Sequence, residues 1–194
     1  MTFITIGYII HKVRKDVNLF LTKKGKKMSG QKSKNKGKTF ERDIANYLSE
    51  LYDDSFTRVP QSGAYVGGQN AFRKEQLSEN QIRGFKSDII PPDGWGHLNV
   101  ECKSYADFPF HQLLQDKNIP ILETWIQQTY DAADEGDFNL IIMKFNRKGK
   151  YVMYELKHKM VHNIGVTYKG WHFCEFDKFF KDNKENVKQY SQKI

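Results

Sequence analysis

In 194 residues the chain has two cysteines, five prolines and no long hydrophobic run, and each scarcity excludes something. Cys102 and Cys174 are too few for a disulfide framework, so a packed core and a reduced, cytoplasmic compartment are expected. No stretch approaches the ~20 apolar residues of a membrane-spanning helix, and no membrane partner is expected. The apolar start, Met1–Ile10, lacks the basic lead and small-residue cleavage site of a secretion signal. His111, His158, His162 and His172 lack the spacing of a zinc site, and His97 beside Gly96 reads as a strand-edge residue. Acid is scarce in one place. Residues 1–39 hold one acid, Asp16, against eleven Lys and Arg, a net +10; the whole chain carries +8, which leaves −2 for residues 40–194.

The basicity is therefore an arm. Residues 1–36 include Lys23-Lys24-Gly25-Lys26-Lys27 and run into Lys32–Lys38, rich in Lys, Gly and Ser and poor in apolar side chains. Such a segment is expected to be flexible alone and attracted to phosphates, with Lys34, Lys36 and Lys38 as nucleic-acid contacts. The whole chain is 39% hydrophobic, and the part beyond the arm is long enough for one core, placed at 37–182, with 183–194 read as a polar tail.

Within the core, Phe40, Ile44, Tyr47, Leu48 and Leu51 recur at helical spacing, predicting a helix from about 38 to 52. A short apolar run at 56–60 follows, then the glycine-rich loop Gly63–Gly68 and a segment, 69–84, whose pattern does not decide between helix and loop. Short strands are expected at Phe85–Ile90 and His97–Tyr105, either side of Pro91-Pro92-Asp93-Gly94-Trp95-Gly96. Pro120–Ala133 reads as a second helix with proline in its first turn. Phe138–Phe145 reads as a central strand, with a tight hairpin at Arg147–Lys150 and another around Lys169-Gly170. The result is an α/β fold with an αβββαβ core, a mixed sheet flanked by helices.

The chemistry sits in the two short strands. Side chains alternate faces along a strand, so Glu101 and Lys103 share a face about 6.6 Å apart while Cys102 points the other way. An acid on the neighbouring strand of the hairpin these two strands are expected to form, Asp88, can reach the same patch. Two carboxylates beside a lysine suit a hard divalent cation, which takes oxygen ligands and keeps waters for a phosphate substrate. A solvated Glu–Lys pair on a surface hairpin is the plainer alternative. Against it stand the apolar face formed by Val100 and Cys102, the preceding Asp-bearing strand and the amphipathic helix with Glu41.

Ser87-Asp88 and Glu101-Cys102-Lys103 resemble the signature of the PD-(D/E)xK nuclease superfamily, with Ser87 in place of the proline. The order of helix glutamate (Glu41), strand, Ser62-Gly63 loop, Asp88 and Glu101-x-Lys103 is similar to archaeal-type and phage-encoded Holliday-junction resolvases, over roughly Gly37 to Arg147. The 26 positions between Ser62 and Asp88 are longer than in compact resolvases. The resemblance implies a restriction-endonuclease-like fold and a metal-dependent DNA endonuclease serving recombination, repair or phage DNA processing. Asp88, Glu101 and the backbone carbonyl of Cys102 would bind Mg²⁺ (or Mn²⁺), with Glu41 completing the site from the helix. Lys103 would orient or help deprotonate a water, or neutralise developing charge, and Ser62 would donate to a phosphate. One of Gln127 and Gln128 would face the site, with Trp125 in the core. Arg58, Tyr65, Arg73 and Lys74 are further DNA contacts, and a homodimer acting on branched DNA is the implied assembly. A sequence-specific restriction or homing-type endonuclease and a non-catalytic DNA-binding protein are the competing readings.

Deleting residues 1–36 is expected to leave a folded body whose DNA affinity falls and whose salt dependence flattens, because log affinity drops by about 0.9 per neutralised phosphate. Filter binding across a salt series checks this; an unchanged slope would make the arm a solubilising tail.

Overall fold

The computed structural model describes residues 34–60, 87–115, 117–161 and 164–192. The chain divides after Lys38: of residues 1–38 only 34–38 are described, and they are helical. That helix, α1, runs over residues 34–52, so it begins inside the segment expected as an arm. The strands are β1 (Thr57–Arg58), β2 (Ile89–Ile90), β3 (Leu98–Tyr105), β4 (Phe138–Phe145), β5 (Gly149–Glu155), β6 (Gly165–Tyr168) and β7 (Trp171–Glu175). A 3-10 segment (Phe110–Leu114) and α2 (Pro120–Ala132) join β3 to β4, and α3 (Phe176–Ser191) closes the chain.

From Thr39 onward the body is a mixed five-stranded sheet, order β3-β4-β5-β7-β6, between helical layers. β3 and β4 run parallel, in register Glu101 to Ile141 and Lys103 to Met143; the other pairs are antiparallel. β4 is buried on both faces, as its continuous apolar run requires. Leu140 and Ile142 join Val100 and Cys102 beneath Phe40, Ile44 and Leu48 of α1 and Phe176, Phe179 and Phe180 of α3. On the other face Ile141, Met143 and Phe145 pack with Leu122, Trp125 and Ile126 of α2 and with Phe108. The β6–β7 turn places Lys169 and Gly170 at φ of 45° and 81°, the left-handed pair that a two-residue hairpin of matching twist needs.

Two expectations are corrected. Among the described residues the strand expected at Phe85–Ile90 is Ile89–Ile90, with Asp88 just before it, and it pairs with β1, not as a hairpin with β3. Pro91 and Pro92, which lack N–H donors, end that ladder at once. The expected polar tail from Asn183 is instead the second half of α3, with Asn183, Val187 and Ser191 buried. Its start is capped by Glu175, whose side chain accepts from the N–H groups of Asp177 and Lys178 at 3.1 and 2.6 Å. Asn183 satisfies its buried amide on the backbone of Val161, accepting at 2.7 Å and donating at 3.0 Å.

Truncation after Asp182 is therefore expected to unfold the protein, not trim it. As a milder probe, Phe180→Ala should cost about 3–5 kcal/mol, read from chemical denaturation. A soluble truncation with an unshifted midpoint would show that α3 is dispensable to the core.

Candidate active site

Asp88 is fixed at the free edge of β3 by three hydrogen bonds. Its N–H donates to the carbonyl of Val100 at 3.0 Å, and its carbonyl accepts from the N–H of Val59 at 3.0 Å. Its side-chain Oδ2 accepts from the N–H of Cys102 at 2.8 Å. In a strand the N–H and C=O of one residue point to the same edge, so the Cys102 carbonyl also lies on the Asp88 side. Only its backbone is at the site. The thiol is buried among core residues, and burial, with Asp88 next, holds it well above the usual thiol range.

Glu101 and Lys103 project toward α2. Lys103 Nζ donates to Glu101 Oε1 and, at 2.6 Å, to Gln128 Oε1 on α2. Gln127 turns away and bonds Asp131 at 2.8 Å, and Trp125 lies in the core. Burial pushes the Glu101 carboxyl up to about 7, with Asp88 and, more weakly, Glu41 adding to the shift against the opposing Lys103. Glu41 of α1 takes the Arg58 Nε at 2.6 Å, a contact with both side chains largely shielded. Arg58, expected on DNA, is thus held by Glu41. Ser87 Oγ donates to the carbonyl of Ile89 at 2.7 Å, so the residue standing where the signature has proline props the turn into β2.

The structure brings Asp88, Glu101, Lys103 and Gln128 together, with Glu41 near enough to be felt electrostatically. Lys34, Lys36 and Lys38 are exposed on the helical start. Ser62, Tyr65, Arg73 and Lys74 lie outside the described residues. His97 sits 3.5 Å from Asp137, away from these groups. Among the described residues no group of three His, Cys, Asp or Glu side chains is arranged to hold a metal ion. The donor set here is different: two carboxylates and a backbone carbonyl, all hard oxygens. A carboxylate raised to about 7 beside a second one marks a patch short of positive charge, which a cation retaining several waters would supply.

Sequence reasoning missed the Glu41–Arg58 pair and the polar seam next to the site. Asn99 donates to Asn139 Oδ1 at 2.8 Å and to the Thr129 carbonyl of α2 at 3.0 Å; Asn139 donates to Glu155 Oε2 at 2.9 Å. The available signal was a polar residue inside each of two apolar strands, Asn99 and Asn139, which stand opposite each other in the register.

A mixed sheet with an Asp at the edge of one strand and Glu-x-Lys along it, with an α1 glutamate near enough to be felt, defines a nuclease of the PD-(D/E)xK superfamily. The family model described as phage putative PDDEXK endonuclease matches residues 32–192, and the chain belongs to that family. Compared with curated proteins and with solved structures, the chain matches none.

The raised Glu101 has a measurable consequence. A carboxyl whose folded value lies above its unfolded one contributes stability that is complete below about 4.5 and is lost as pH rises through about 7. Glu101→Gln should therefore melt higher than the parent in chelator at pH 8, by an amount on the order of 3 kcal/mol at most, and the gap should narrow toward pH 5. Thermal melts at the two pH values decide; a gap independent of pH would place the charged carboxylate in no unfavourable field.

Proposed function

We propose that this chain is a divalent-metal-dependent DNA endonuclease that prefers branched DNA and works as a homodimer, in recombination, repair or phage DNA processing. The observation that carries the metal-dependent part is the paired Asp88 and Glu101 carboxylates, one locked to the β3 backbone and the other pushed to about 7. Nucleases of this superfamily are generally divalent-metal dependent. Mg²⁺ is the fitting ion, with Mn²⁺ compatible, because the donors are oxygens and too few to fill a coordination shell. Asp88, through Oδ1, Glu101 and the Cys102 carbonyl would hold it; bound there, it would polarise the scissile phosphate and lower the pKa of a water.

The protein's own groups have separable tasks. Asp88 orients the Cys102 backbone and is itself oriented by it. Lys103 stands on Glu101 with its ammonium shared by Gln128, so it is positioned to hold a water or to meet charge developing on the phosphate. Gln128 keeps that ammonium on the α2 side. Glu41, held by Arg58, is a charge felt by Glu101 and would complete the site from α1 either through a water or on a second ion. The preference for branched DNA is supported by the lysine-rich arm, since shape is read through backbone contacts and sequence through base edges.

Asp88→Asn and Glu101→Gln are each expected to abolish cleavage while leaving DNA binding in place; Lys103→Ala should lower the rate about 10²–10⁴-fold with metal affinity retained by calorimetry. The assay compares a four-way junction, a flap, linear duplex and single strand with Mg²⁺. Full activity in either carboxylate variant removes the metal-site reading. Cutting of one linear sequence in preference to every branched substrate replaces the junction reading by the restriction type.

A further inference from the structure

We propose that the β4–β5 hairpin is a contact for the substrate's phosphate backbone, with Lys144 and Arg147 each engaging one phosphate away from the scissile one. The proposal rests on the nuclease reading and deepens it by naming where the body of the protein grips DNA.

Placement comes first. β3 and β4 run parallel with Ser104 opposite Lys144 and Tyr105 opposite Phe145, so the hairpin continues the end of the sheet to which Glu101 and Lys103 lead. The Asn146 N–H donates to the Tyr105 carbonyl at 3.2 Å, tying the turn to the end of β3. From Glu101 to Tyr105 the strand advances about 13 Å, the axial length of roughly four nucleotide steps. A duplex or branch arm cut at Glu101 would pass over this end.

Charge comes second. Residues 144–150 hold Lys144, Arg147, Lys148 and Lys150 and no acid, in a body that sums to −2 over residues 40–194. Lys148 is paired with Asp107 at 2.5 Å and Lys150 with Asp177 at 3.0 Å. Lys144 and Arg147 are exposed and pair with no carboxylate among the described residues. Lys144 Nζ instead lies 5.7 Å from the centroid of the Phe40 ring, next along α1 from Glu41.

Backbone strain is the third, independent observation. The Lys148 N–H to Phe145 carbonyl bond of 3.1 Å closes the turn, and Arg147 sits at its third position with φ of 60°. Glycine or asparagine would occupy that conformation at lower cost, and no interaction among the described residues requires arginine there. A residue held against its conformational preference, with a charge that the fold does not use, fits an external anion. Tyr105 adds a surface: 41% exposed and with its ring 5.0 Å from Trp125, it gives a fixed aromatic face on which a sugar or base can pack.

The test is metal-free DNA binding by the full chain across roughly 50 to 200 mM salt, with parent, Lys144→Gln/Arg147→Gly and a control of equal charge loss, Lys184→Gln/Lys188→Gln. The control lysines lie on α3, whose Tyr190 packs on Phe138 at the opposite end of β4. Arg147→Gly relieves the turn, so the double variant should melt no lower than the parent. It should lose about two units of log–log salt slope and at least about tenfold in affinity at low salt, and the control should keep the parent's slope. An unchanged slope in the hairpin variant, an equal loss in the control, or no DNA binding by the parent overturns the proposal. Cleavage with Mg²⁺ is scored separately: a parent that binds through the hairpin but cuts nothing sinks the nuclease reading alone, and a parent that cuts with an unaltered hairpin slope sinks the hairpin alone.

Discussion

The site depends on how one residue, Asp88, is sewn to an edge. An edge strand exposes a row of backbone donors and acceptors that must be covered or solvated. At β3 the cover is Asp88, which uses its N–H on Val100, its carbonyl on Val59 and its carboxylate on the Cys102 N–H. The same three bonds serve two ends. They extend the sheet by a two-stranded flap, and they hold a carboxylate beside the backbone carbonyl that would share a cation with it. Pro91 and Pro92 make this arrangement necessary, because after Ile90 the chain has no N–H with which to continue a ladder along β3.

The opposite side of the site is held by α2, and there the fold uses buried polar groups. Asn99, Asn139 and Glu155 sit side by side on β3, β4 and β5, and Asn99 reaches the Thr129 carbonyl one residue from Gln128. Tyr130 donates to Glu155 Oε1 at 3.1 Å and takes the Trp171 indole N–H at 3.2 Å. An apolar interface would leave α2 free to slide by a fraction of a turn, since many packings of Leu and Ile are nearly equivalent. Hydrogen bonds with fixed partners select one. With α2 in that register, Gln128 lands on Lys103 and Lys103 on Glu101. The seam thus lies on the same causal path as the candidate site residues Glu101, Lys103 and Gln128.

How much of this was legible follows from sequence distance. Asp88, Glu101 and Lys103 lie within one short stretch and announce themselves by residue type and strand alternation. β4 was legible from its unbroken apolar run, and the β6–β7 turn from Lys169-Gly170 between two short apolar runs. Gln128 on Lys103 and Arg58 on Glu41 join separate elements, so only the packed fold brings them together. The second half of α3 was hidden because its buried face is partly polar: Asn183 and Ser191 occupy core positions, and only Val187 between them is aliphatic. A pattern that counts apolar residues reads such a face as solvent-exposed. The ladder break at Pro91-Pro92 is visible in principle, since neither residue can donate, but two short apolar runs either side of a turn-rich stretch carry the pattern of a hairpin as well.

The charges show why the site and the binding surface must be separate. Burial, with Asp88 and more weakly Glu41, pushes the Glu101 carboxyl up to about 7, and such a cluster of acids favours a cation and disfavours a phosphodiester. A substrate bearing one negative charge per nucleotide cannot be drawn in by that centre alone. Attraction has to come from cations placed at a distance, where they gather the backbone without neutralising the carboxylates. Lys103 is too close and too committed to Glu101 and Gln128 to serve. Distance along the sheet resolves the conflict, with the acids where a cation would sit and, from about 10 Å further along β3 outward, the exposed Lys144 and Arg147, which pair with no carboxylate among the described residues.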